Sequence, residues 1–211
     1  MELIENWKNK EVFEMQLSLN LKEISGEYPK HWISFVNIIK DLHVESVLDL
    51  GCGCGIYSQI CEDRIPYLTY HGSDYSPEAI DIAKKNFTSG DFFVGDIFNW
   101  NHQETPKVDL IHAGALLDVL PNGNEAIKYI DSIATGIKCS YILIGRIRFT
   151  PGRSGYSTYK AYDLIETYEY RHNRGDFTSI VNSLGYNIIT EEESPSGSTI
   201  LLKKQNKQNH G

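Results

Sequence analysis

Long apolar runs are missing from this sequence. Its most hydrophobic stretches, such as 141–144, are strand-sized and far short of the roughly 20 residues that a membrane-crossing helix requires. The first ten residues are polar and carry Glu2, Glu5, Lys8 and Lys10, which leaves no place for the apolar core of a secretory signal. No membrane partner is expected, and a cytoplasmic location is. Positive charge is scarce too: 20 lysines and arginines stand against 28 aspartates and glutamates, a formal net charge of −8. The densest basic stretch, Arg146, Arg148 and Arg153 with Lys160 beyond, is too sparse to track a polyanion. A small-molecule partner is therefore expected, and nucleic acid is not. Cysteine is limited to Cys52, Cys54, Cys61 and Cys139. No Cys/His pair stands at zinc-like spacing to Cys52 and Cys54, so no metal site is expected. Reduced thiols agree with a cytoplasmic protein.

What is present suffices for a packed domain. The 211 residues are 41% hydrophobic and 23% charged, without repeats. Residues 1–203 read as one domain and 204–211 as a frayed polar tail. Residues 1–43 form a helical leader: Trp7, Val12, Phe13, Leu17 and Leu21 recur at helical spacing. Gly26 and Pro29 interrupt, and Trp32, Phe35, Val36, Ile39 and Leu42 make a second stripe. From Ser46 onward strands alternate with helices. Strands are expected at 47–50, 67–72, 92–94, 108–112, 141–147, 186–190 and 199–202. Helices are expected from Tyr57, from Ser76 with Pro77 at its first position, at 124–133 and at 176–184. This alternation predicts an α/β fold, a mostly parallel sheet with helices on both faces. The short polar connection around Pro195 and Gly197 predicts an antiparallel edge. The stretch 149–175 reads as a long lid-like insertion, with a short helix near 162–168.

The chemistry gathers at Val47-Leu48-Asp49-Leu50-Gly51-Cys52-Gly53-Cys54-Gly55. A strand that runs into glycines and then a helix lets backbone approach a ligand closely. A dinucleotide fingerprint is G-x-G-x-x-G. Here the glycines alternate, and Ile56 stands where the last is expected. Asp49, just before the turn, is awkward beside a pyrophosphate but suits an ammonium group. The turn thus points to a zwitterionic or cationic ligand. Asp74 ends the second strand, about twenty residues past the glycines, where an acid accepts from ribose hydroxyls. Both nicotinamide dinucleotides and S-adenosylmethionine carry that ribose. Asp96 follows the third strand, placed to accept from an adenine amino group, with Ile97 beside the ring.

Together these blocks resemble the class I S-adenosylmethionine-dependent methyltransferases. The carrying residues are Val-Leu-Asp-Leu-Gly-Cys-Gly-Cys-Gly from Val47, Gly-Ser-Asp-Tyr-Ser-Pro-Glu-Ala-Ile from Gly72, Gly-Asp-Ile from Gly95, and Val-Asp-Leu-Ile-His-Ala from Val108. The resemblance covers about 44–148. It implies a Rossmann-like seven-stranded sheet whose last strand is antiparallel, with S-adenosyl-L-methionine as cofactor. It implies that Gly51, Gly53 and Gly55 line the methionine part and that Asp74 holds the ribose, with Asp49 and Cys52 counted among the cofactor-binding residues. Tyr75 would cover the adenine, Asp96 and Ile97 would border its edge, and His112 with Ala113 would lie beneath the cofactor. The chain departs from the family at Asp118, where many relatives have histidine.

Two residues are candidates for catalysis. Histidine suits proton transfer near neutral pH, and His112 ends a strand, where sites gather in open parallel sheets. Asp118 is placed to take a proton from an acceptor hydroxyl or to hold a helix end. Tyr168, Tyr170, Arg171 and Arg174 are candidates for substrate binding, with the arginines suited to an acidic group. The reading is a small-molecule methyltransferase, with an O-acceptor favoured over an N-acceptor and a sugar or sugar-linked metabolite as one such substrate. The rival readings are an NAD-dependent oxidoreductase, opposed by the glycine spacing and Asp49, and a module that binds the cofactor without chemistry.

Overall fold

A computed structural model describes residues 2–120 and 122–205. Strand β1 (Ser46–Leu50) is buried on both faces along most of its length. It lies parallel between β2 (Thr69–Asp74) and β4 (Leu110–Gly114). Beyond β2 lies β3 (Gly90–Val94), and beyond β4 lies β5 (Tyr141–Ile147). The last strand, β10 (Gly197–Lys204), is antiparallel to β5 and to β9 (Tyr186–Ser194). The result is a seven-stranded sheet of order β3-β2-β1-β4-β5-β10-β9.

Side-chain alternation divides the core into two layers. Val47, Leu110, Leu143 and Leu201 pack with Phe35 and Ile39 of α2 (Lys30–Leu42), Ile60 of α3 (Ile56–Arg64) and Ile80 of α4 (Pro77–Asn86). On the other face, Leu48, Ile111, Ile142, Ile144 and Ile200 pack with Ile127 and Ile130 of α5 (Gly123–Ile137). Phe177 and Val181 of α6 (Arg174–Ser183) complete that layer. The helix starts follow local chemistry. Ser76 Oγ accepts from Ala79 N with Pro77 at the first position of α4, and Asn173 Oδ1 accepts from Gly175 N and Asp176 N at the start of α6. The leader contains a 3-10 helix, Glu2–Lys8, and α1 (Lys10–Ile24) before α2.

The insertion departs from the sequence reading. It is neither a loop nor helical near 162–168. After the two-residue β6 (Phe149–Thr150), β7 (Gly155–Ala161) and β8 (Ile165–Asn173) form an antiparallel hairpin. The two central turn residues, Tyr162 and Asp163, have φ of 53° and 59°. The loop holds three residues, 162–164, closed by Leu164 N donating to Ala161 O; left-handed turn positions usually take Gly or Asn, so Tyr-Asp gave no turn signal. The polar tail also begins later than expected. Lys204 pairs with β9 through Tyr186, and its Nζ lies 2.6 Å from Asp131. Residues 206–211 of that tail lie outside the described residues. Strands β2 and β4 each start two residues later than the apolar pattern implied. Leu68 N closes a turn on Ile65 O, and Asp109 Oδ2 accepts from Glu45 N, Ser46 N and Ser46 Oγ ahead of β4.

Candidate active site

The carboxyl ends of β1, β2, β4 and β5, with the loop after β3, form the floor of a cavity of about 250 Å³. Gly51 and Gly53 enter it from the turn after β1. Asp74 and Tyr75 come from the end of β2, and Asp96 and Ile97 follow β3. Ala115, Asp118, Arg146 and Arg148 line the far side. The roof comes from two distant parts of the chain: Trp7, Phe13 and Gln16 of the leader, and Tyr159 and Tyr162 of the hairpin. Trp7 Nε1 donates to Thr167 Oγ1 at 2.6 Å, and Asn6 Nδ2 donates to Glu166 O at 2.8 Å. Val12, Ala161 and Ile165 pack beneath that seam with Trp7 and Tyr162.

The glycine turn behaves differently at its three positions. Gly51 and Gly53 have φ of 71° and 54° and keep the cavity wall bare of side chains. A Cβ on Gly53 would lie 2.7 Å from Gln16 Oε1, which itself accepts from Cys54 N. Gly55 lines neither this cavity nor the adjoining one. Its φ is 83°, and a Cβ there would lie 2.8 Å from Ala83 and from Phe92. Its requirement is packing beneath the turn. Cys52 lines the adjoining cavity.

Asp74 Oδ2 accepts from Gly53 N at 2.9 Å and Oδ1 from Ser76 N at 3.0 Å. Burial pushes its carboxyl pKa up to about 6 against the pull of those hydrogen bonds. Tyr75 has Lys8 Nζ 5.4 Å from its ring centroid. Burial, with Asp74 nearby, raises the Tyr75 phenol and keeps it neutral. Asp96 Oδ1 accepts from Phe98 N at 2.9 Å. These polar groups and the bare glycines suit an adenosine-bearing amino acid, with ribose hydroxyls at Asp74 and backbone approach at the turn.

The candidate catalytic residues sit otherwise than expected. His112 is 1% exposed and lines neither cavity. Its ring is packed against Phe35 and Tyr57, and Nδ1 lies 2.7 Å from Asp49 Oδ1. Asp49 Oδ2 accepts from the Tyr70 hydroxyl at 2.6 Å. Asp49 reaches the adjoining cavity wall with its carboxylate already engaged by these two donors. Ala113 is fully buried and lines neither cavity, whereas Gly114 and Ala115 line both. Asp118 faces the cavity but is tied down. Its Oδ2 lies 3.0 Å from Arg148 Nε, and its Oδ1 lies 3.5 Å from His172 Nε2. Arg148 also pairs with Glu169.

None of Tyr168, Tyr170, Arg171 and Arg174 lines either cavity. Arg174 makes a bidentate pair with Glu191 and stacks over Phe149 at 3.7 Å. Arg171 pairs with Glu169 at 3.0 Å. Tyr170 packs edge-on to His172, and Tyr168 edge-on to Tyr156. Read as loop, the insertion offered no strand faces by which to sort these residues from Tyr159. The cavity instead receives Arg146 and Arg148. Their alternation at the end of β5 was the signal available in the sequence.

The adjoining cavity, about 550 Å³, lies between α1, α2 and the glycine turn and shares Gln16, Arg146 and Tyr162 with the first. Burial, aided by the Arg146 charge, lowers the His31 pKa there to about 3, so this imidazole is neutral at physiological pH.

A family model described as a methyltransferase domain matches residues 47–135. The trans-aconitate 2-methyltransferase of Escherichia coli is 36% identical over 91 residues, which is 43% of this chain and 35% of that protein. The chain thus spans about a third of the length of the curated relatives it matches. Among solved structures, human N-acetylserotonin methyltransferase in complex with S-adenosylmethionine superposes with a TM-score of 0.68 at 18% identity, covering 95% of this chain and 58% of that one. An amino pentose methyltransferase of Micromonospora echinaspora gives 0.66 at 10% identity, covering 90% and 96%. Residues 47–135 thus match a methyltransferase domain model, and the fold is shared with these methyltransferase structures.

Proposed function

We propose that this chain is an S-adenosylmethionine-dependent methyltransferase acting on an oxygen of a small polar metabolite. The observation that carries the reading is the roofed cavity, with bare glycines and Asp74 on one side and Arg146 and Arg148 on the other. Bound there, S-adenosylmethionine supplies a methyl group already activated by its sulfonium. The chain has to orient the acceptor behind that methyl and keep water out. The Trp7–Thr167 seam and the hairpin tyrosines close the cavity. Gly51 and Gly53 admit close backbone approach, Asp74 accepts from the ribose hydroxyls, and Tyr75, Asp96 and Ile97 border the adenine.

The acceptor side lacks an idle base among the residues singled out. His112 is buried on Asp49, and Asp118 is held by Arg148. An oxygen that is already anionic, or readily made so, fits this setting better than an amine bearing a proton. The local likeness to trans-aconitate 2-methyltransferase supports an acidic acceptor. The structural likeness to an amino pentose methyltransferase keeps sugar-linked metabolites within the reading.

The test is calorimetric titration of S-adenosylhomocysteine, followed by detection of S-adenosylhomocysteine formed from S-adenosylmethionine across a panel of acids and sugars. Binding and turnover are expected. Binding of NADH without S-adenosylhomocysteine would return the protein to the oxidoreductases. Binding without turnover on any acceptor would make it a cofactor-binding module.

A further inference from the structure

We infer that the Arg146 guanidinium grips a carboxylate of the methyl acceptor, which makes small carboxylic acids the substrate class. The inference rests on the proposed methyltransferase reading and deepens it.

Arg146 lies where the two cavities meet and lines both. Among the described residues it has no carboxylate partner, which Arg148 has, and its Nε, like that of Arg148, is buried without a hydrogen-bond acceptor. The arginines around it are treated differently. Arg148 is held by Asp118 and Glu169, Arg171 by Glu169, and Arg174 by Glu191. Leaving a partly buried guanidinium unpaired is costly unless a ligand compensates it. Its planar fork matches the two oxygens of a carboxylate.

The backbone points the same way. Arg146 has φ of 61° and Ala115, on the neighbouring strand end, has φ of 60°. Ala115 N donates to Gly145 O at 2.7 Å, which couples the two positions. A left-handed non-glycine residue costs of order 1 kcal/mol, and such strain gathers at ligand sites. Gly197 at the start of β10 lets the two backbones meet closely there: a Cβ on it would lie 2.8 Å from the Arg146 carbonyl carbon.

The strand order assigns the anion to the acceptor. Asp74 ends β2 and Asp96 follows β3 on one side of the glycine turn. Arg146 ends β5, two strands away on the other side. Tyr159 and Tyr162 line the same corner, with burial raising both phenols so that they stay neutral donors for an anion. The cofactor's own amino-acid carboxylate shares this chemistry, so the experiment must separate the two sources.

Succinate, citrate and trans-aconitate, and the trimethyl ester of trans-aconitate, are titrated into the wild-type protein saturated with S-adenosylhomocysteine. At least one acid is expected to bind, and the ester about tenfold more weakly or worse than its acid. In Arg146→Gln, acid binding falls about tenfold or more, while S-adenosylhomocysteine affinity changes less than about threefold. Arg146→Lys, which keeps the charge without the fork, lies between. The acid–ester comparison stands on the wild type even where a variant fails to fold. Failure of all three acids to bind the wild-type complex overturns the inference and leaves the cofactor reading intact. So does a tenfold loss of S-adenosylhomocysteine affinity in Arg146→Gln with 5′-methylthioadenosine, which lacks the carboxylate, bound as before. Failure of the wild type to bind S-adenosylhomocysteine overturns both.

Discussion

The Asp74 carboxylate accepts the N–H of Gly53 across 2.9 Å, joining the end of β2 to the turn after β1. The contact sits in the cavity wall, so a ligand on either residue is felt by the other. Asp74→Ala is expected to weaken S-adenosylhomocysteine binding by about 1.5–3 kcal/mol, the usual worth of hydrogen bonds to a charged group. Calorimetry on the folded variant checks this, and unchanged affinity would remove Asp74 from the ribose.

The same carboxyl gives a pH dependence. Its pKa in the fold is raised from 3.8 to about 6 by burial. A raised carboxyl pKa means that the native state holds the proton more tightly than the unfolded chain. Its contribution to stability therefore falls as pH rises from about 4 to 6. Ribose hydroxyls donate to the ionised form, so ligand affinity rises over the upper part of that window. Titrations near pH 6 in buffers of different ionisation enthalpy are expected to report proton release on binding.

Gly53 and Gly55 are expected to fail in different ways. Gly53→Ala places a methyl 2.7 Å from the end of the Gln16 side chain, which can swing aside. Its left-handed φ adds strain of about 1 kcal/mol, and the further loss falls on ligand affinity. Gly55→Ala meets Ala83 and Phe92 in the core at 2.8 Å. Left-handed strain and overpacking together are expected to cost about 2–4 kcal/mol in urea unfolding.

Asp49 ties Tyr70 to His112 inside the core. Asp49→Ala leaves two buried donors unmatched and is expected to lower stability by about 2–4 kcal/mol. His112→Gln, which keeps a donor, is expected to retain turnover on the wild-type acceptor. A loss of kcat in a stably folded His112→Gln would restore this residue to the chemistry.

Trp7→Phe deletes the indole N–H that meets Thr167 while keeping the ring. Melting is expected to shift down by the worth of one hydrogen bond, about 0.5–1.5 kcal/mol. Limited proteolysis within 155–173 should speed up, and KM for the acceptor should rise more than kcat falls.

The sheet, the glycine turn and the acids at its strand ends were legible because each is encoded within a few residues of itself. Val47 to Gly55 carries its own strand, turn and helix start, and Ser76-Pro77 its own cap. The acceptor side was not legible in this way. Which tyrosines face the cavity depends on a hairpin whose turn, Tyr162-Asp163, lacks the usual glycine or asparagine. Which arginine is free depends on carboxylates far along the chain: Glu191 takes Arg174, and Glu169 with Asp118 takes Arg148. Those pairs form only in the fold, and of the two arginines that line the cavity they leave Arg146 without a carboxylate. Asp49 shows the reverse case, an acid conspicuous in the motif whose carboxylate is engaged by Tyr70 and His112 from neighbouring strands.

The seam between Trp7 and Thr167 joins residues 160 positions apart. A chain emerging from the ribosome completes the glycine turn and its neighbouring strands long before the hairpin exists. The leader must therefore wait, with Trp7 and Val12 lacking their hairpin partners, until the second half of the roof has been synthesised. Cofactor that arrives early meets an open shelf; the roof over it is complete only once the hairpin has been made.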